Sequence, residues 1–91
     1  MTTIWKFPLA VSQTQGIAMQ AILMPFGAQV LAVQCQGGEP CLWALVDEQA
    51  PKMLRTFETF GTGHSIPDGN KNYVGTYQMM GLVFHVFEAA T

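Results

Sequence analysis

A glycine-rich segment from Gly61 to Asn70 holds the residues of this 91-residue chain that are best suited to chemistry. Its sequence, GTGHSIPDGN, is the one long stretch without apolar periodicity. Glycines let the backbone turn and approach a ligand closely, and the backbone N–H groups of such a turn can hold a phosphate oxygen. The segment lacks the Gly-Lys-Ser/Thr ending of a P-loop. We predict ligand contacts at Gly61, Thr62, Gly63, His64 and Ser65, with a plain structural turn or a subunit contact as the alternative.

Four residues outside this segment complete the predicted ligand-binding set. Arg55 is the best anion contact, because a guanidinium forks onto phosphate or carboxylate, and Lys6 adds a second positive charge. Trp5 and Tyr77 have polar neighbours, so we expect both rings to be partly exposed and able to stack on a nucleobase. The remaining aromatic residues are predicted to lie in the core.

Catalysis and metal binding find little support in the sequence. The six carboxylates form no recognisable catalytic pair, and no nucleophile elbow is present. Cys35 and Cys41 do not match the spacing of a zinc cluster, so we interpret them as inert buried thiols. A three-residue turn between them would place them opposite each other, whereas a two-residue turn at the glycines would pair Cys35 with Pro40. His85 alternates in phase with apolar residues and is interpreted as a packed residue.

The shortage of charge is the most informative property of the composition. Charged residues make up 11% of the chain, against roughly 25% in a typical soluble domain. A small domain has a large surface for its volume, so some apolar surface must be exposed or hidden against another subunit. We therefore predict a homo-oligomer, either a dimer or a tetramer.

Charge and hydropathy also exclude two classes of partner. The four basic residues of a chain with net charge −2 can hardly supply the phosphate contacts that duplex nucleic acid requires. No apolar run approaches the ~18 residues of a membrane span, and the N-terminus does not read as a signal peptide. The sequence thus predicts a cytosolic protein with reduced cysteines.

Short strands separated by turn residues account for the rest of the chain. Strands are predicted over residues 4–7, 28–36, 41–46, 52–60, 73–80 and 82–88, with 16–23 a strand or a short helix and 11–15 a turn. Turns are predicted at 24–27, 36–40 and Gly81, with a bulge at Gly75. In the predicted strand over residues 28–36, Val30, Ala32 and Gln34 are expected to share one face. Residues 1–91 are therefore predicted to form a single all-β domain, a small antiparallel sandwich or barrel of about seven strands.

Several segments together resemble a known family. The chain is similar to a widespread family of small tailed-bacteriophage proteins that carry a domain of unknown function. The resemblance rests on segments in the same order along nearly the whole chain: WKFPL (5–9), PCLWALVD (40–47), GTGH (61–64) with Ile66-Pro67, YVGTYQ (73–78) and FHVFE (84–88). The segment 16–23 is longer than in the family pattern.

The resemblance implies a functional class that the composition alone does not give. Small non-catalytic phage proteins often counter host defence, and one class sequesters the nucleotide messenger that triggers the defence. We expect a non-enzymatic protein in the host cytoplasm that needs no cofactor and binds a small cyclic nucleotide at subunit junctions. The alternatives are an inhibitor that binds a host defence protein, such as a CRISPR effector, and a minor virion or morphogenesis protein.

Overall fold

The computed structural model of the protein describes residues 1–10 and 17–90. These residues form seven strands and contain no helix, and therefore no helix that could cross a membrane. The turn predicted over residues 11–15 lies outside the described residues. The strands are β1 (Thr2–Pro8), β2 (Ile17–Pro25), β3 (Gln29–Gln36), β4 (Glu39–Asp47), β5 (Lys52–Gly61), β6 (Lys71–Met79) and β7 (Leu82–Ala89).

The strands form two antiparallel sheets that pack as a sandwich. The three-stranded sheet has the order β1-β4-β3, and the four-stranded sheet has the order β2-β5-β7-β6. Every pairing is antiparallel. The all-β sandwich predicted from the sequence is thus confirmed, and the sheets do not close into a barrel.

Two glycines set the register of the β3–β4 hairpin. Gly37 and Gly38 both have positive φ values, 59° and 82°, which a two-residue hairpin turn requires. The turn pairs Gln36 with Glu39 and Cys35 with Pro40, the second of the two alternatives raised above. The cysteines therefore lie on opposite faces, and both are free thiols.

A bulge changes the predicted faces of β3. The register shifts between Val30 and Ala32, so that Leu31 is an extra residue in this strand. Val30, Val33 and Cys35 consequently pack on the core, while Ala32 and Gln34 face outward. The prediction that Val30 shares a face with Ala32 and Gln34 was wrong, because one extra residue inverts the alternation.

The turn between β2 and β3 is shorter than the one predicted over residues 24–27. Strand β2 continues through Pro25, and the chain turns only at Phe26 and Gly27, where the Ala28 N–H donates to the Pro25 carbonyl at 3.1 Å. Strand β2 is at the edge of its sheet, where a residue without an N–H is tolerated. The strand therefore does not have to end before the proline.

The core lies between the two sheets and is apolar. Leu42, Ala44, Phe57 and Val86 are almost completely buried there. The sheets approach most closely where β3 packs against β6: a Cβ atom added at Gly75 would lie 3.1 Å from the Val33 Cβ. The register of β6 shifts between Tyr73 and Gly75, so the predicted bulge is confirmed at this point.

Candidate functional site

A concave cleft lies at one end of the sandwich. We call it the end cleft, and its volume is about 650 Å³. This is within the range of about 300–1,000 Å³ that small-molecule sites occupy. The residues that matter most for its chemistry are Phe26, Leu54, Arg55, Asn72 and Glu88.

An ion pair provides the polar part of the end cleft. The Arg55 Nε and Nη2 atoms donate to the two Glu88 carboxylate oxygens at 2.6 and 2.8 Å, and Nη1 donates to the Ala28 carbonyl at 2.6 Å. The hydrogen bond to Glu88 raises the pKa of Arg55, against the opposing effect of burial. A guanidinium has five N–H groups, so two remain for a ligand after these three bonds.

Register explains how this pair is assembled. Arg55 is on the core-facing side of β5, and Phe57, two residues further on, is directly opposite Glu88 of β7. Asn72 of β6 is opposite Glu88 on the other side. Because residues two apart in a strand share a face, the three polar side chains lie at the same end of the sandwich. Both charged side chains keep access to solvent, at 25% and 21% exposure.

Apolar side chains form the rim of the end cleft. Phe26 in the β2–β3 turn is 63% exposed and Leu54 is 64% exposed. Apolar side chains that remain this exposed beside a polar floor are a common feature of ligand sites. The end cleft can therefore hold a flat, partly apolar molecule with hydrogen-bonding groups along one edge.

The glycine-rich segment begins at the opposite end of β5 and crosses back to the end of the end cleft, because β5 and β6 run in the same direction on either side of β7. The Thr62 N–H donates to the Val83 carbonyl at 3.1 Å, and the Ala90 N–H donates to the Asn70 carbonyl at 2.9 Å. The Thr62 hydroxyl is 2.8 Å from His85 Nε2. These contacts hold both ends of the loop against the sheet.

His85 joins the loop to a chain of hydroxyl groups. Its Nδ1 atom is 3.2 Å from the Thr76 hydroxyl, which is 2.5 Å from the Tyr73 hydroxyl. His85 shares a face with Val83 and Phe87, as the alternation predicted, and this face points away from the core. It is nevertheless hydrogen-bonded at both ring nitrogens, which one strand in isolation could not indicate because the partners come from the loop and from β6.

The first residues of the loop are exposed and lie away from the end cleft. His64 and Ser65 lie on the surface, and the His64 N–H donates to the Gly61 carbonyl at 3.2 Å. Two backbone N–H groups of the predicted phosphate site, those of Thr62 and His64, are thus already bonded. Six residues of strand separate Arg55 from Gly61, a distance of about 20 Å. The structure therefore does not bring Arg55 together with the predicted loop contacts at Gly61–Ser65, although the loop ends near the cleft at Asn70.

The two predicted stacking residues differ in exposure. Trp5 is half-buried against the core, and the Lys52 ammonium lies 5.7 Å from its ring centroid. Tyr77 is only 4% exposed and stacks on Phe84 with ring centroids 5.3 Å apart. The prediction that Tyr77 is partly exposed was wrong, because its polar neighbours Thr76 and Gln78 face away from it in an alternating strand.

Lys6 is separated from the other predicted residues. It lies on the outer face of β1, opposite Trp43, and donates to the Gln36 side chain at 3.0 Å. The predicted set is thus divided among the end cleft, the loop, the core and the outer face of the three-stranded sheet. Residues 1–10 and 17–90 contain no group of three or more His, Cys, Asp or Glu side chains that could hold a metal ion.

Sequence reasoning missed three residues of the end cleft. Phe26 was interpreted only as part of a turn, and Asn72 and Glu88 only as the ends of a loop and a strand. Glu88 could have been found by its charge, since it is the one carboxylate of β7, and β7 shares its sheet with Arg55. Nothing local to Phe26 or Asn72 indicated a site.

Comparison with known proteins identifies a family for the whole chain. The model of a domain of unknown function, DUF7352, matches residues 1–91. Searches of curated proteins and of solved structures give no match. The chain belongs to the DUF7352 family.

Proposed function

We propose that this member of the DUF7352 family is a non-catalytic protein that binds a small cyclic nucleotide and thereby sequesters it. The observation that carries the proposal is the end cleft, where an Arg–Glu pair and an amide lie beneath an apolar rim. The proposed site differs from the set predicted from the sequence: it keeps Arg55, adds Phe26, Asn72 and Glu88, and does not use Tyr77.

A nucleobase is the chemical group that best complements this cleft. Its edge carries adjacent hydrogen-bond donors and acceptors, and its faces are flat and apolar. Arg55 offers two further N–H donors, Glu88 offers carboxylate lone pairs, and the Asn72 amide can donate or accept. Phe26 offers a ring for stacking, which is worth about 1–3 kcal/mol per base in other proteins. The Arg–Glu pair has no net charge, so it favours a neutral base over a bare phosphate.

Phosphates of the bound nucleotide would extend towards the mouth of the cleft. Lys52 is exposed and pairs with Pro25, the residue that precedes Phe26 in the sequence. It therefore supplies positive charge on this side of the molecule. The role in counter-defence, the phage origin and the location in the host cytoplasm are part of the same proposal, and their support is the family resemblance described above.

Exposed apolar surface favours a second candidate function. Met19, Leu54 and Tyr73 all lie on the outward face of the four-stranded sheet and are 69%, 64% and 61% exposed. A host defence protein could bind this face, as expected for an inhibitor. Affinity capture from host lysate that recovers one stoichiometric host protein would support this candidate.

Titration calorimetry with a panel of cyclic di- and trinucleotides tests the proposal. We expect one nucleotide to bind, and Phe26→Ala to weaken its binding about tenfold or more, as loss of about 1.4 kcal/mol of stacking would do. Met80→Ala is the matched control, because Met80 is also an exposed apolar turn residue, at 91% exposure, but lies at the opposite end. An unchanged nucleotide after incubation would support sequestration over catalysis. No heat with any nucleotide, at protein concentrations well above micromolar, would overturn the proposal.

A further inference from the structure

Within the part of the chain that the structure describes, β2 pairs only with β5 and is an edge strand, and it carries no charge. Its sequence, IAMQAILMP, contains no ionisable side chain over nine residues. Ile17, Met19 and Leu23 point outward from the four-stranded sheet and are 43%, 69% and 53% exposed, with the small Ala21 between them. An edge strand exposes unpaired N–H and C=O groups, so an uncharged apolar edge is a template for pairing with another strand.

The other three sheet edges carry features that discourage such pairing. Strand β1 has Lys6 and ends in Pro8. Strand β3 is bulged at Leu31, and β6 is bulged near Val74 and begins with Lys71. Charges, prolines and bulges are the devices by which natural sheets avoid edge-to-edge association. Strand β2 has only Pro25, at its last position.

We propose that two copies of this chain form a dimer by antiparallel pairing of their β2 strands. A two-fold axis at Ala21 places Met19 opposite Leu23 of the second copy, and the reverse, while Ala21 meets its own equivalent on the axis. The apolar residues that face outward then pair only with apolar residues. Because the strand has no charge, a like-with-like contact brings no charge repulsion.

The size of this edge predicts a dimer of moderate strength. Nine residues of strand extend about 30 Å, and the smallest dimension of the molecule is 18 Å. The edge therefore offers about 500–600 Å² per copy, near the lower limit of about 600 Å² per partner for a stable specific interface. We therefore expect a monomer–dimer equilibrium that depends on concentration, and a second copy is the occupant that this self-complementary strip fits.

The dimer is a separate inference from the ligand proposed above, although it touches the same end of the molecule. With the axis at Ala21, the Ile17 end of one β2 lies beside the Pro25 end of the other. That end adjoins Phe26 at the rim of the end cleft. The dimer can be tested without any nucleotide, so failure of one proposal leaves the other intact.

Sedimentation velocity over a range of protein concentrations tests the pairing. We expect dimers at high concentration, and we expect Leu23→Lys to weaken dimerisation roughly 100-fold, because each dimer carries two copies of the change. Leu31→Lys is the matched control: Leu31 is 48% exposed, on the bulged edge strand β3. Circular dichroism would verify that both variants are folded. A wild-type protein that stays monomeric at all concentrations, or a dimer that Leu23→Lys leaves unchanged, would overturn the proposal.

Cross-linking provides a positive test of the register. Ala21→Cys places two thiols at the axis, where Cβ atoms of directly opposed residues lie about 4.5–5.5 Å apart, within reach of a disulfide after slight adjustment. Mild oxidation should give a covalent dimer for this variant and none for Leu31→Cys. Equal cross-linking of the two variants would overturn the Ala21 register.

Discussion

The two long sides of the sandwich are built in different ways. On one side, which we call the closed side, edge strands β3 and β6 pack directly on each other at Val33 and Gly75. On the other, the open side, edge strands β1 and β2 are joined by the Gln20 side chain, whose Nε2 donates to the Pro8 carbonyl at 3.1 Å and whose Oε1 accepts from the Ala10 N–H.

The two sides differ in whether their edge strands contact each other: β3 and β6 pack together, whereas β1 and β2 are linked through the Gln20 side chain. The closed side excludes a further strand, because both of its edges are bulged and in mutual contact. In the described residues, the open side is held by the two hydrogen bonds of the Gln20 side chain and by Leu9, which is 7% exposed. Among residues 1–10 and 17–90, β2 pairs on one side only, so that another strand could add to it without loss of core packing.

The largest effect is expected from a change that forces the closed side apart. Gly75→Val should lower the free energy of unfolding by about 3 kcal/mol, because its Cβ would lie 3.1 Å from the Val33 Cβ and 3.3 Å from its Cγ2. Urea denaturation measures this loss. In a Val33→Ala background the cost of Gly75→Val should fall to about 2 kcal/mol, since the Cγ2 atom is removed while the Cβ atom at 3.1 Å remains. Strictly additive effects would mean that the two strands are not in contact here.

The second largest effect is a loss of stability at alkaline pH, caused by a residue on the closed side. Burial, with a smaller contribution from the Cys35 charge, raises the pKa of Tyr77 to about 12. The unfolded phenol loses its proton near pH 10, so between pH 10 and 12 the unfolded state binds fewer protons and stability falls as pH rises. The loss should approach roughly 2 kcal/mol by pH 12.

The matched variants for the alkaline test are Tyr77→Phe and Tyr73→Phe. Denaturation at several pH values should show a shallower decline for Tyr77→Phe, whereas Tyr73→Phe, which removes a phenol that is 61% exposed, should keep the wild-type slope. A Tyr77→Phe protein with the full wild-type decline would contradict the assignment.

Most of the fold could be predicted from local sequence patterns. Alternation placed His85 on one face with its apolar neighbours in β7, and the two glycines of the β3–β4 hairpin limited the turn to two alternatives. The sequence could not choose between them, or place the bulge at Leu31, because both depend on which strand lies opposite. The division into two sheets is likewise a property of long-range pairing.

The candidate site was less predictable than the fold. Arg55 was identified by its chemistry. Its ion pair with Glu88, however, depends on the register between β5 and β7, which no local sequence pattern encodes. The exposure of Tyr77 was predicted wrongly, because its polar sequence neighbours lie on the opposite face of the strand. The prediction of a homo-oligomer came from the low charge, and the structure adds a specific edge at which it can be tested.

The open side should respond to loss of its hydrogen-bonded link. Gln20→Leu removes the partner of the Pro8 carbonyl and the Ala10 N–H, and should lower the free energy of unfolding by about 1 kcal/mol. Gln34→Leu makes the same change on the outer face of β3, where Gln34 is exposed, and should alter stability by less than about 0.5 kcal/mol. Equal effects of the two substitutions would contradict the role of Gln20.

The smallest effect is expected at the contact between Lys52 and Trp5. An ammonium over an exposed or half-buried aromatic ring contributes about 0.5–1 kcal/mol, so Lys52→Met should lower stability by about 0.5 kcal/mol and change tryptophan fluorescence. Lys6→Met, on the outer face of β1, serves as the control for loss of a surface charge.

Lys52→Met also separates an effect on stability from an effect on ligand binding. If Lys52 attracts the phosphates of a ligand at the end cleft, Lys52→Met should weaken nucleotide binding more at low salt than at high salt, since screening already removes much of this attraction. A binding loss that does not depend on salt would instead assign Lys52 to packing on Trp5.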